Sequence, residues 1–205
     1  MKQEEGKFIV FEGLDGCGKS SQSKKLAKYF EDKGQECVLT WEHTRKKVGA
    51  LIEDVVNHKF TLDPLALQLC FVADRREHYK SVIEPALEEG KTVVCDRYYW
   101  TTVAYVPEDY RDIVFKLNKD IVKSPDITFF IDCPVDECLK RIDNSQGTNT
   151  RQSERTIFEK ADKLERFSKT YDWLLENDDI VSYRINGIGE IDEIHARIID
   201  KLNHG

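Results

Sequence analysis

Residues 8–20 read FIVFEGLDGCGKS, and this stretch decides the fold. Its first four residues have the length and the β-rich composition of a buried strand. Residues 13–20, GLDGCGKS, match the pattern G-x-x-x-x-G-K-[ST] at every fixed position. The glycines of this pattern let backbone N–H groups point at phosphate oxygens, and a helix that follows directly adds the positive end of its dipole. The stretch therefore predicts a phosphate-binding loop that takes a nucleoside triphosphate.

The side chains of the loop have separate tasks in this prediction. Lys19 can reach the outer phosphates, and the hydroxyl of Ser20 can bind Mg²⁺. The helix is predicted over about residues 19–33, with Gly34 placed to end it. The loop residues assigned to the triphosphate are Gly13, Gly16, Cys17, Gly18, Lys19, Ser20 and Ser21.

Composition and charge narrow the class of protein. The 205 residues include 31 basic and 38 acidic side chains, a net charge of −7, which argues against nucleic acid as a general partner. No stretch approaches the ~18 apolar residues of a membrane span. The six cysteines show neither paired nor zinc-like spacing, which indicates free thiols in a reducing cytoplasm. We expect one cytoplasmic α/β domain over residues 1–205.

The order of elements predicts the architecture. Residues 143–150 lack apolar anchors and predict a mobile loop, within a lid at about residues 142–156. Strands that alternate with helices predict a parallel sheet covered on both faces, here the three-layer α/β sandwich of P-loop NTPases. The predicted strands are residues 8–11, 36–41, 92–95, 127–132 and 180–185. The predicted helices are residues 19–33, 48–57, 64–90 with a break near Pro85, 109–123, 136–142, 151–175 and 191–202.

Ligands of an open α/β sheet bind at the carboxyl ends of its strands, so the residues that follow each strand outline a predicted site. Glu42 and Arg45 follow the second strand, and Asp96 and Arg97 follow the third. Carboxylates suit Mg²⁺ and arginines suit phosphate, as phosphoryl transfer requires. The simpler alternative for Asp96 and Arg97 is a local ion pair at a strand end.

Over nearly its whole length the chain resembles thymidylate kinases, which are P-loop nucleoside monophosphate kinases. Three stretches carry the resemblance: FIVFEGLDGCGKSSQ, LCFVADRREHYKSVIEPALEEGKTVVCDRYYWTTVAY and PDITFFIDCPVDECLKRI. The order and spacing of the phosphate loop, FxxDR and DRY are more specific than any single motif. The resemblance implies transfer of the γ-phosphate of ATP to dTMP, with Mg²⁺, to give dTDP and ADP. It also implies a homodimer.

The resemblance implies roles for residues of the acceptor site. Asp15 would hydrogen-bond the 3′-hydroxyl of dTMP, Phe71 would stack on thymine, and Arg75 would hydrogen-bond a thymine carbonyl. Asp96 would act in the Mg²⁺ shell, and Arg97 would hold the acceptor phosphate.

Further roles concern the base, the sugar and the donor. Thr101 and Thr102 would lie near the base, and Tyr105 beside the sugar 2′-carbon, where an aromatic ring leaves no room for a 2′-hydroxyl. Arg141 would lie over the donor adenine. Without the resemblance, Phe71 and Tyr105 fit a second interpretation, as core aromatics of helices.

The catalytic arginine is predicted to come from the lid. Members of the family carry it either in the phosphate loop or in the lid, and the variable loop positions here are Gly16 and Cys17. Arg151 is the first choice and Arg155 the second, four residues apart on one face of a predicted helix. Such a residue acts as an arginine finger supplied by the same chain.

Two departures from the family stay open, and so do three rival functions, one of which is a catalytically inactive relative that acts as a scaffold. Trp41 is not followed by the usual proline step, so Lys46 could replace Arg45 at the acceptor phosphate, and Tyr105 is followed by Val106 rather than glutamine. A deoxynucleoside kinase, which phosphorylates a 5′-hydroxyl, would use Glu42 as its base. A nucleotide-dependent switch is the rival from another class.

Overall fold

The computed structural model describes residues 6–146 and 161–205. Within these ranges a single five-stranded sheet has the order β2-β3-β1-β4-β5, and every neighbouring pair is parallel. The predicted parallel sheet is thus confirmed. Its strands are β1 (Phe8–Glu12), β2 (Cys37–Trp41), β3 (Thr92–Asp96), β4 (Ile127–Asp132) and β5 (Ser182–Asn186).

Helices cover the sheet and form the walls of the site. Helix α1 packs against β1, β2 and β3 and also against α9, whereas α4 contacts β3, and α5 packs against α3, α6 and α8. The α-helices of the described ranges are α1 (Lys19–Asp32), α2 (Lys47–Val56), α3 (Pro64–His78), α4 (Glu84–Glu88), α5 (Tyr99–Tyr105), α6 (Arg111–Ile121), α7 (Val135–Gln146), α8 (Ala161–Asn177) and α9 (Ile191–His204).

The chain stays helical through the predicted break near Pro85. A π-helix, Tyr79–Ile83, joins α3 to α4, and Pro85 lies in the first turn of α4. Proline has no N–H to donate to the preceding turn. The helix therefore widens into a π-helix just before Pro85 and does not end there. The result is a continuous helical rod that carries the predicted acceptor residues of α3.

The structure differs from the predicted helices in two places. Helix α5 was expected only around Tyr105 and without bounds, because all seven of its residues are buried and it lacks the polar face that marks an amphipathic helix. Helix α7 continues to Gln146, so residues 143–146 of the predicted mobile loop are helical. The remainder of the predicted lid, residues 147–156, lies outside the described residues.

Strand register brings the predicted site residues to one edge of the sheet. Asp96, the last residue of β3, pairs with Phe11 of β1 on one side and with Trp41 of β2 on the other. The phosphate loop, Glu42 and Arg97 therefore begin at the same carboxyl edge. In the described part of the chain, no helix has the length and apolar character required to cross a membrane.

Candidate active site

Backbone geometry explains two glycines of the phosphate loop. Gly16 has φ 80°, and a Cβ atom there would lie 2.4 Å from the carbonyl oxygen of Cys138 in α7. Gly18 has φ 103° and caps α1 without any side-chain hydrogen bond, and a Cβ there would meet open space. The first turn of α1 thus faces an open cleft with its N–H groups, which is the arrangement that binds a phosphate.

This cleft, the donor cleft, has a volume of about 810 Å³. Lys19 is buried in its wall and donates from Nζ to the carbonyl oxygen of Leu14 at 2.6 Å. Arg141 reaches it from α7, donating to Glu137 at 2.9 Å and to the carbonyl oxygen of Gly187 at 3.1 Å. The predicted donor residues that line it are Gly16, Gly18, Lys19, Ser20, Ser21 and Arg141.

Two loop residues assigned to the triphosphate do not line the donor cleft. Gly13 lies against β4, where a Cβ atom would come 2.7 Å from the carbonyl oxygen of Ile131. The side chain of Cys17 is fully buried, and its sulfur accepts a hydrogen bond from Lys19 Nζ at 3.7 Å. Both residues therefore shape the loop from beneath.

Ser20 and Asp96, 76 positions apart in sequence, are in contact. The Ser20 hydroxyl donates a hydrogen bond to Oδ2 of Asp96, while Oδ1 is buried and has no hydrogen-bond partner among the described residues. An unpaired carboxylate oxygen beside a serine hydroxyl fits Mg²⁺ or a water of its shell. The described residues contain no cluster of three or more His, Cys, Asp or Glu suited to a metal, so the ion would depend on substrate phosphates and water as well.

Asp15, Arg97 and Tyr105 form a linked group. Arg97 forms an ion pair with Oδ1 of Asp15, and the Tyr105 hydroxyl donates to Oδ2 at 3.1 Å. Burial alone would raise the pKa of Asp15, but Arg97 and Lys19 outweigh it and the pKa is lowered. Arg97 has φ 73°, the left-handed region that non-glycine residues rarely adopt, and such strain is concentrated at functional sites.

A second cavity of about 170 Å³, the acceptor pocket, lies on the other side of this group. Asp15 and Arg97 are the residues that its wall shares with the donor cleft. The other predicted residues in its wall are Glu42, Phe71, Arg75, Thr101, Thr102 and Tyr105.

Arg75 is buried at the base of the acceptor pocket with its guanidinium fixed on several sides. It donates to Glu42 Oε2 at 2.6 Å, to Asn118 Oδ1 at 2.7 Å and to the Thr102 hydroxyl at 2.9 Å. The second oxygen of Glu42 lies 3.1 Å from Nδ1 of His78. Arg75 is thus held in one orientation, and Glu42 is occupied by two basic side chains.

Glu12, the last residue of β1, connects the phosphate loop to α5. It accepts hydrogen bonds from the Tyr98 amide at 2.9 Å and from the Thr101 hydroxyl at 2.6 Å. Burial raises its pKa to about 7, against the opposing effects of these hydrogen bonds and of Arg97. These bonds hold Thr101 in the wall of the acceptor pocket.

The aromatic residues of the pocket have different surroundings. Tyr105 stacks on Phe167 of α8 with ring centroids 4.1 Å apart, and its hydroxyl is directed to Asp15. Phe71 is half-buried and meets the edge of His43 at 5.6 Å. Neither ring is enclosed only by core residues, because both line the cavity.

Arg45 and Lys46 lie outside both cavities. They line a separate shallow recess beside Trp41, and both are exposed. The cause is Thr44, whose amide and hydroxyl each bond the buried Asp74 at 2.7 Å, which turns the following residue outward. The structure thus does not bring Arg45 to the acceptor pocket, and the predictions for Arg151 and Arg155 fall outside the described residues.

Comparisons with known proteins agree with this geometry. The family model for thymidylate kinase matches residues 11–198. The chain belongs to the thymidylate kinase family. A probable thymidylate kinase of Pyrococcus horikoshii is 37% identical over 206 residues, covering 97% of each chain. A thymidylate kinase of Desulfotalea psychrophila is 36% identical over 175 residues, 85% of this chain and 84% of that one. The crystal structure of thymidylate kinase from Ehrlichia chaffeensis has a TM-score of 0.73 at 27% identity, covering 97% of this chain and 99% of that one.

Within this thymidylate kinase framework, sequence reasoning missed two polar residues of the acceptor pocket, His43 and Gln68. Burial lowers the pKa of His43, which favours its neutral form. Gln68 precedes Phe71 by three positions and Arg75 by seven, so the three share one face of α3. That spacing was a signal in the sequence that could have found Gln68.

Proposed function

We propose that this chain transfers the γ-phosphate of ATP to dTMP, giving dTDP and ADP. The observation that carries the proposal is the shared wall of the two cavities, where Asp15 and Arg97 border both. One cavity carries a phosphate loop and the other a fixed arginine and a stacking aromatic. Two substrates placed in these cavities would meet with their phosphates beside Arg97, as direct transfer requires.

On the donor side, the N–H groups of the loop and Lys19 would hold the ATP phosphates, and Arg141 would contact the adenine. Mg²⁺ would be held by Ser20 and Asp96, whose unpaired buried oxygen favours a cation or its water. When bound, the ion neutralises charge on the phosphates. The protein contributes the fixed geometry of the hydroxyl and the carboxylate.

On the acceptor side, thymine would stack on Phe71 and accept a hydrogen bond from Arg75. Asp15 would accept from the sugar 3′-hydroxyl, and Arg97 would hold the phosphate. Tyr105 would close the space beside the sugar 2′-carbon, which favours deoxyribose. The fixed orientation of Arg75 supports its part, because a preorganised donor loses little entropy on binding.

The charge that develops on the transferring phosphoryl needs a further cation. Among the described residues of the donor cleft, Arg97 and Arg141 are each paired with a carboxylate, and Lys19 is the remaining cation. We propose that Arg151, or else Arg155, completes the site as the arginine finger.

The rival proposal, a deoxynucleoside kinase, required Glu42 as a free base. Glu42 is instead buried between Arg75 and His78, with the Arg75 contact at 2.6 Å. Both oxygens of Glu42 thus already have partners in the protein, so neither is free to take a proton from a 5′-hydroxyl. The geometry therefore favours a phosphate acceptor over a hydroxyl acceptor.

We also propose a single kinase domain, a cytoplasmic location and a homodimer. All six cysteines are free thiols, which fits a reducing compartment. Leu51 of α2 and Leu69 of α3 lie on two helices that pack together and expose 40% and 43% of their surface, and exposed apolar side chains of this kind favour pairing of two copies. Light scattering on the purified chain measures its mass in solution.

The proposed function is tested with Mg·ATP and a panel of acceptors: dTMP, dUMP, dCMP and thymidine. We expect dTMP to be converted to dTDP with the highest kcat/KM. Turnover of thymidine without turnover of dTMP would favour the deoxynucleoside kinase. Slow ATP hydrolysis that ignores every acceptor would favour a nucleotide-dependent switch.

A further inference from the structure

Gln68 has a buried amide oxygen that no described residue pairs with. Only 2% of its surface is exposed, and its Oε1 has no hydrogen-bond partner among the described residues. Buried polar groups are nearly always hydrogen-bonded, because leaving one unpaired destabilises the fold. An exception in the wall of a cavity therefore indicates a group that is kept for a ligand.

The position of Gln68 relates it to the base-binding residues. Gln68, Phe71 and Arg75 follow one another at i, i+3 and i+7 on α3, and all three line the acceptor pocket. Gln68 and Arg75 are thus separated by two helical turns, about 10.5 Å along the axis, with the aromatic ring between them. A planar ring stacked on Phe71 would present one edge toward Arg75 and another toward Gln68.

The guanidinium of Arg75 cannot move to serve both edges. It is held by Glu42, Asn118 and Thr102 at 2.6 to 2.9 Å. As a guanidinium it only donates, so it satisfies a carbonyl and leaves any N–H of the base without an acceptor. A primary amide supplies an acceptor and a donor side by side, which complements an N–H next to a carbonyl.

We propose that Gln68 is a specificity-determining residue, whose Oε1 accepts the N3–H of the pyrimidine while its amide N–H groups face the adjacent carbonyl. The inference rests on the proposed function and extends it to the substrate class. Together, a donor-only Arg75 and an acceptor at N3–H select bases with an imide edge, thymine and uracil. Cytosine has no N3–H and would leave the Gln68 oxygen unpaired.

A structural role is the alternative that the experiment must separate. Gln68 also borders another cavity, distinct from the acceptor pocket and the donor cleft, with a volume of about 380 Å³. Tyr105 and the apolar Val55 and Leu67 line this cavity as well. If Gln68 only fills the wall between the two cavities, replacing its amide should leave recognition of the base unaffected. Gln68→Met removes the amide and keeps an unbranched side chain of similar length.

The matched control is Thr128→Val, which removes another buried and unpaired polar atom, in β4 and outside the cavities. Calorimetry on the full chain measures Kd for dTMP and for 2-deoxyribose 5-phosphate, which has no base. We expect Gln68→Met to raise the Kd of dTMP about tenfold and to leave that of the sugar phosphate unchanged. Without ligand, both variants should melt at or above the wild-type temperature, because each loses an unpaired buried group.

A second measurement uses the substrate. N3-methyl-dTMP lacks the N3–H, so the wild-type preference for dTMP over this analogue should fall about tenfold in Gln68→Met. Equal weakening of dTMP and the sugar phosphate, or an unchanged preference, would overturn the role of Gln68. Wild-type protein that does not phosphorylate dTMP at all would instead overturn the proposed function, so the two failures are distinguishable.

Discussion

Asp15 of the phosphate loop is ion-paired with Arg97, which follows β3, and this pair stands between the donor cleft and the acceptor pocket. The two residues are 82 positions apart and come from different strand ends. The loop that holds the triphosphate therefore also supplies a carboxylate to the acceptor side. A change in either residue should be felt by both substrates.

Asp15→Ala is expected to lower kcat/KM for dTMP by about ten- to a hundredfold, the effect of losing a hydrogen bond to a charged group. It should affect a 3′-deoxy analogue of dTMP much less. Arg97 also loses its partner in this variant, but that loss lowers kcat/KM equally for dTMP and for the 3′-deoxy analogue. The ratio of the two kcat/KM values therefore isolates the contact with the 3′-hydroxyl. We expect that ratio to fall toward one.

Asp132→Ala serves as its control, since Asp132 pairs with Arg184 at 3.0 Å and lines neither cavity. Its substrate ratio should match that of the wild type. If Asp15→Ala keeps the wild-type ratio, the 3′-hydroxyl is bound elsewhere.

Glu12 makes the stability of the fold depend on pH. Its pKa in the folded chain is about 7, above the ordinary 4.5, chiefly because burial disfavours the carboxylate. Between these two values the folded state binds more protons than the unfolded state, so the free energy of unfolding falls as pH rises. The loss over this window is about 3 kcal/mol at 1.36 kcal/mol per pKa unit. Glu12→Gln should remove this contribution.

Urea denaturation of wild type and Glu12→Gln at pH values from 5 to 8 measures the effect. The stability of the wild type relative to the variant should decrease across this range and level off above pH 7. Glu53→Gln, an exposed position of α2, should show no such trend. A pH-independent difference between wild type and Glu12→Gln would contradict the prediction.

Local patterns in the sequence were sufficient for the phosphate loop and the strands. The GKS ending and the apolar runs depend only on residues that are neighbours in the sequence. The predicted bounds of each strand therefore agree with the structure to within about two residues. Asp96 and Arg97 were correctly brought to the loop, because parallel strands end at a common edge. The bounds of helix α5 could not be predicted, because the helix is buried on all sides and has no polar face to mark its length.

Residues that depend on distant contacts could not be placed in this way. Arg45 was assigned to the acceptor phosphate, but the bonds from Thr44 to Asp74, 30 positions away, turn it to the surface. The pairing of Glu42 with Arg75 was likewise invisible, although it removes the main support for the rival function. The positions of Arg45 and Glu42 depend on which helix covers the end of the strand. A local sequence pattern does not contain that information.

Asp96→Asn is expected to raise the Mg²⁺ concentration for half-maximal activity by about tenfold or more, because the neutral amide attracts a divalent ion less strongly. Activity against Mg²⁺ concentration at saturating ATP and dTMP provides the measurement. Chelation should abolish turnover of the wild type, and added Mg²⁺ should restore it. An unchanged Mg²⁺ requirement in Asp96→Asn would remove Asp96 from the metal site.

Glu42→Gln is expected to destabilise the fold by about 3 kcal/mol, because it leaves the buried Arg75 charge without its counter-ion. Urea denaturation at pH 7.5 measures this loss. Glu77→Gln is the control, since Glu77 lies 3.8 Å from Lys46 at the surface and its loss should be too small to measure. Unchanged stability together with abolished turnover of thymidine would identify Glu42 as a base and support the rival function.

Arg151→Ala is expected to lower kcat by about a thousandfold and to change the KM for dTMP only a few fold, since an arginine finger stabilises charge that appears in the transition state. The phosphate loop supports this expectation, because Gly16 and Cys17 supply no charge and Arg97 is already paired with Asp15. Steady-state kinetics of Arg151→Ala, Arg155→Ala and the surface control Arg184→Ala separate the candidates. A loss of kcat in Arg155→Ala alone would move the role to Arg155, and full activity in both lid variants would leave Lys19 and Arg97 to stabilise the transferring phosphoryl.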